Sequence, residues 1–133
     1  MSDETCVPIV RDADIVAARQ AGRHLAQSVG FGGSDLTLIA TAISEVARNI
    51  VSYAERGEVR LSAAIRDGLR GILVVARDEG PGIPDIELAM QDGYSTGRSL
   101  GLGLPGARRL MDEFEIISEV GRGTTVTMRK WVR

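Results

Sequence analysis

Lysine is almost absent from this chain. Of its 133 residues only Lys130 is a lysine, nearly at the C-terminus, and every other basic residue is arginine. A phosphate loop of the Gly-Lys-Ser/Thr type needs a lysine inside the loop, and a eukaryotic-type kinase needs one on an early strand, so Lys130 serves neither. Cysteine and histidine occur once each, as Cys6 and His24. An internal disulfide is therefore excluded, as is a metal cage built from those side chains. No apolar stretch approaches the roughly 20 residues that span a bilayer, and the start MSDETC lacks the basic and apolar regions of an export signal. A soluble, cytoplasmic protein is expected. The 16 basic and 18 acidic residues nearly cancel, so no strong field invites nucleic acid or an anionic membrane, and neither is expected as a partner.

What is present fits one domain over residues 1–133, large enough for a real core. CVPIV reads as an edge strand, because Pro8 cannot donate to a ladder. From Asp14, the residues Ile15, Ala18, Gly22, Leu25 and Val29 recur at helical spacing, and Gly30 supplies a stop. Ser34 or Asp35 can cap a second helix whose core stripe is Leu36, Ile39, Ile43, Val46 and Ile50. EVRLSAAI and GILVVAR flank an Asp-Gly turn signal, which gives a hairpin with a central second strand. Residues 84–91 suit a short helix, DGYSTGRS a polar loop, and PGARRLMDEF a third principal helix with Pro105 in its first turn. FEIISEV and TTVTMRKWV close the domain as a second hairpin around GRG. Two hairpins and three helices indicate an α+β sandwich, a mixed sheet with helices on one face.

Three segments carry chemistry. Glu45 and Asn49 stand four residues apart on the second helix and share a face with Leu38 and Ala42, which suggests a cleft wall. A glutamate there can take a proton from a hydroxyl, and an asparagine oxygen can ligate Mg²⁺ beside an anionic nucleotide. The alternative is a plain ion pair between Glu45 and Arg48. DEGPGIP follows the central strand directly, with Gly80 and Gly82 allowing close approach to a flat ligand. Asp78 is placed to accept a hydrogen bond from the exocyclic amine of adenine, or merely to cap a tight turn. SLGLGLPGARRL sets Gly101 and Gly103 before a helix N-terminus, where free amides favour phosphate; the alternative is an ordinary helix start. Gly101, Gly103 and Gly106 also spell a dinucleotide-binding fingerprint, but the residues before them are loop-like, whereas that fingerprint must follow a buried strand.

The ordered set Glu45-x-x-x-Asn49, Asp78-x-Gly80-x-Gly82-Ile83 and Gly101-Leu102-Gly103-Leu104 resembles the three boxes of the Bergerat (GHKL) ATP-binding fold, that of gyrase, MutL and histidine kinases. Within it, DIVAARQAGRHLA, ISEVARNI, DEGPGIPD and LPGARRLMDEF resemble the small bacterial serine/threonine kinases of partner-switching pathways. They are more similar to the RsbT type, the switch kinase of stressosomes, than to the anti-sigma kinases that hold a sigma factor directly. The resemblance runs nearly end to end and implies a two-layer α/β sandwich whose mixed, mostly antiparallel sheet carries helices on one face. It further implies ATP and Mg²⁺ as cofactors, Glu45 as general base toward a protein hydroxyl, Asn49 as Mg²⁺ ligand and Asp78 as adenine reader. Gly80, Gly82 and Ile83 would line the base, residues 101–104 would meet the phosphates, and Thr124 would support adenine recognition. Residues 93–99 would form a short ATP lid, in which Arg98 carries no assigned role. Substrates would be STAS-domain stressosome proteins phosphorylated on Ser or Thr, and the released kinase would activate a PP2C-type phosphatase. An anti-sigma factor of the same superfamily is the alternative.

Overall fold

The computed structural model describes residues 4–83, 86–90 and 103–133. In chain order the elements are β1 (Thr5–Ile9), α1 (Asp12–Val29), α2 (Gly33–Tyr53), β2 (Gly57–Arg66), β3 (Leu69–Asp78), α3 (Ile86–Ala89), α4 (Gly103–Leu110), β4 (Glu113–Glu119) and β5 (Gly123–Trp131). The strands form one sheet in the order β1-β2-β3-β5-β4, with β3 at its centre and the Pro8 strand at its edge, as expected. All four pairings among the described residues are antiparallel, which corrects the mixed sheet expected from the sequence. The reason is topological: β3 and β4 run the same way, but β5 turns back and inserts between them, so two antiparallel ladders replace one parallel ladder.

Alternation along the strands points Val59 and Leu61 of β2, Ile72, Val74 and Ala76 of β3, and Val126 and Met128 of β5 into one core under the helices. The α2 stripe of Leu36, Ile39, Ile43, Val46 and Ile50 is buried throughout. Each such side chain contributes about 1.5–3 kcal/mol relative to exposure. At Gly22 of α1 an added Cβ would lie 2.1 Å from Ile43 Cδ1, so this stripe position is held by close helix packing.

The helix ends refine the expectations. Gly30 ends α1 in the left-handed conformation, at φ 118°. Gly32 caps α2 with no side-chain hydrogen bond, while Ser34 and Asp35 lie inside the first turn, where Asp35 favours the helix dipole. The third principal helix is shorter than its pattern, because α4 ends at Leu110 and Glu113 and Phe114 already belong to β4. The Asp112 carboxylate accepts the Trp131 amide at 2.8 Å and draws the chain into the sheet. Lys130, the only lysine, donates from Nζ to the Leu110 carbonyl at 2.9 Å and so closes α4. Among the described residues no helix is long and apolar enough to cross a membrane.

Candidate functional site

Asp78 is the last residue of β3 and continues its inward alternation, which leaves a carboxylate only 8% exposed at the rim of the core. Its Oδ1 accepts the Gly80 amide at 2.8 Å and the Thr124 amide of β5 at 3.2 Å. The first bond is the tight turn the sequence allowed; the second ties the turn to a strand 46 residues away. Both bonds fall on Oδ1, so Oδ2 keeps its acceptor capacity for a ligand. Thr124, 5% exposed, stands opposite Ser118 of β4, with the two hydroxyl oxygens 2.8 Å apart. Ser118 in turn accepts the Ile83 amide at 2.7 Å, and the Gly121 amide donates to the Pro81 carbonyl at 2.8 Å. The loop after β3 is thereby fastened to the β4–β5 hairpin.

Two glycines make that closeness possible. Gly82 has φ 80°, and a Cβ there would lie 2.3 Å from the Glu119 carbonyl oxygen. Gly123 has φ 119°, and a Cβ there would lie 2.2 Å from the Asp78 carbonyl oxygen. Gly80 is not left-handed; it is small because Ala54, just past α2, leaves no room for a side chain. A cleft of about 530 Å³ opens beside this cluster, lined by residues 52–56 and 79–81.

Glu45 lies on α2 and is 6% exposed. Its Oε2 accepts from Arg48 Nη1 at 2.7 Å, one turn along, and its Oε1 accepts the amide of Gly103, the first residue of α4, at 2.8 Å. The plain ion pair is thus real, but one contact per oxygen does not exhaust a carboxylate. Glu45, Asn49 and Ser52 follow one face of α2, and with Arg48, Gly103 and Leu104 they line a hollow of about 30 Å³. Ser52 also borders the larger cleft, so one wall of α2 serves both clusters. Among the described residues no three His, Cys, Asp or Glu side chains gather as a metal cage. A single neutral oxygen donor such as half-buried Asn49 suits Mg²⁺, which keeps several waters and takes further ligands from phosphates.

The structure therefore brings Glu45, Asn49, Gly103 and Leu104 together at one end of the α2 wall, and Asp78, Gly80, Gly82, Ile83 and Thr124 at the other. Gly101, Leu102 and the segment 93–99 with Arg98 lie outside the described residues. Sequence reasoning missed Ser118. The signal for it was a polar residue at an inward position of β4, after Phe114 and Ile116.

Residues 10–130 match the model of the histidine kinase-like ATPase domain. The chain is 50% identical over 133 residues, all of both chains, to serine/threonine-protein kinase RsbT of Bacillus subtilis (strain 168). It is 38% identical over 105 residues, 74% of this chain and 70% of the other, to the anti-sigma F factor of Geobacillus kaustophilus (strain HTA426). Among solved structures, the mycobacterial sensor histidine kinase MprB superposes with a TM-score of 0.59 over 98% of this chain and 99% of that one. At 18% identity, that likeness bears on the fold alone.

Proposed function

The chain belongs to the histidine kinase-like ATPase domain family, and on that premise we propose that residues 1–133 form a single Mg-ATP-dependent protein serine/threonine kinase domain. One observation carries the reading. A single wall of α2 joins a buried carboxylate beside the α4 N-terminus to a cleft bordered by Gly80, whose amide donates to the buried Asp78 carboxylate. Full-length similarity to a named serine/threonine kinase supports it.

Asp78 accepts the exocyclic amine of adenine, with Thr124 beside it and Gly80, Gly82 and Ile83 against the base. Guanine, with a carbonyl at that position, is refused. Glu45 takes the proton of a Ser or Thr hydroxyl on the protein substrate as that oxygen bonds to the γ-phosphorus and ADP leaves. Asn49 is the protein ligand for Mg²⁺, which when bound neutralises charge on the phosphates. Residues 101–104, of which Gly103 and Leu104 begin α4, meet the phosphates, and 93–99 act as the ATP lid. Substrates are STAS-domain stressosome proteins in the cytoplasm; the released kinase activates a PP2C-type phosphatase. Similarity to an anti-sigma F factor supports a second reading, direct capture of a sigma factor.

The test is transfer of labelled γ-phosphate from Mg-ATP to a purified stressosome STAS protein, with Glu45→Ala beside the wild type. Label with the wild type alone is expected. No label despite ATP binding, together with co-elution of a sigma factor, would favour the second reading.

A further inference from the structure

Ser118 lies in none of the three motifs, yet the loop after β3 and the strand carrying Thr124 meet at its hydroxyl. Its Oγ is 2.7 Å from the Ile83 amide nitrogen, 2.8 Å from Thr124 Oγ1 and 3.2 Å from the Gly123 carbonyl oxygen. All three contacts are hydrogen bonds at once in only one arrangement of the hydroxyl protons. The Ile83 amide can only donate and the Gly123 carbonyl can only accept, so Ser118 gives its proton to Gly123. The Thr124 hydroxyl must then donate to Ser118, which leaves Thr124 with lone pairs and no proton to offer. Its backbone amide is already committed to Asp78 Oδ1. Asp78 and Thr124 thus present acceptors side by side, an arrangement that fits a ligand donor and opposes a ligand carbonyl.

Resting on the reading that this cluster meets the adenine of ATP, we infer that Ser118 is a positioning residue for base recognition. It fastens the Ile83 amide of the loop and locks the Thr124 hydroxyl as an acceptor, without touching the nucleotide. Without Ser118, the Thr124 proton is free to turn toward the base and meet a carbonyl. Selectivity for adenine over guanine then falls along with affinity.

The experiment is calorimetric titration of Mg-ATP and Mg-GTP into the wild type, Ser118→Ala, Ser118→Thr, Thr124→Val, the Ser118→Ala/Thr124→Val double variant and Asp78→Asn. Ser118→Ala is expected to weaken ATP about five- to tenfold and to lower the ATP-to-GTP preference, while Ser118→Thr, which keeps the hydroxyl, stays close to the wild type. The double variant is expected to bind ATP no worse than the weaker single one, because both substitutions break one chain of bonds. A purely structural serine would give additive losses and an unchanged ATP-to-GTP ratio, and either result overturns the inference. ATP binding that is lost in Asp78→Asn but intact in Ser118→Ala overturns the role of Ser118 alone. A wild type that binds neither nucleotide overturns the ATP reading itself.

Discussion

The two ends of the α2 wall are built in different ways. Around Asp78, the end of β3, the following loop, β4 and β5 are interlocked by backbone amides and two hydroxyls, and glycines bring their backbones within contact. Around Glu45, the side-chain contacts among the described residues are one arginine from the next turn and one amide from α4. A group that reads a base gains from being fixed before the ligand arrives, since no reorganisation follows. A general base has to meet a hydroxyl within hydrogen-bond reach, and contacts that can be exchanged serve it better. On the proposed reading, affinity falls to the Asp78 end and chemistry to the Glu45 end.

The strongest way to break that assignment is Glu45→Gln, which keeps shape and removes the base. Phosphotransfer is expected to fall by about 10²- to 10⁴-fold with ATP affinity nearly unchanged. Calorimetry beside a single-turnover assay checks both, and a large loss of affinity would erase the distinction between the two ends. Asp78→Asn tests the other side. It replaces one carboxylate oxygen with a donor and is expected to cost about 1–3 kcal/mol of ATP binding. If affinity holds and only the rate drops, the assignment is reversed. Arg48→Ala sharpens the Glu45 end. Arg48 is 38% exposed while Glu45 is buried, so removing the arginine leaves that carboxylate without its charge partner, and transfer is expected to slow severalfold. A loss as deep as that of Glu45→Gln would make the arginine part of the chemistry.

The local architecture was more legible in the sequence than the long-range contacts that complete it. The α2 stripe and the Asp67-Gly68 turn, with φ of 51° and 81°, could be read because helical period and hairpin chemistry are local signals. Glu45 and Asn49 could be placed on one face for the same reason. The end of α4 could not. Met111 to Phe114 keep a helix-like pattern, and what stops the helix is Asp112 accepting an amide 19 residues away. The insertion of β5 between β3 and β4 is non-local in the same sense, so a mixed sheet was expected where the described strands pair antiparallel throughout. Ser118 was hidden because one serine in a strand is unremarkable until the strand that faces it is known.

The smallest expected effect comes from the far end of β4, five residues before Ser118, and separates stability from binding. There the Trp131 indole N–H and the Arg66 guanidinium beside Glu113 hold its carboxyl below the usual carboxylate range. A depressed folded value stabilises the protein at pH above the unfolded value, about 4.3, and that contribution fades as pH falls through the folded one. Glu113→Gln is therefore expected to lower Tm at neutral pH, and the gap from the wild type should close as the pH drops below about 4. Thermal melts across that range check it, and a gap independent of pH would mean that packing against Trp131 matters and charge does not. ATP affinity of the same variant should stay at the wild-type level. A shift there would mean that β4 transmits changes from one end to the other, and the fixed character of the Asp78 end would then belong to the whole strand.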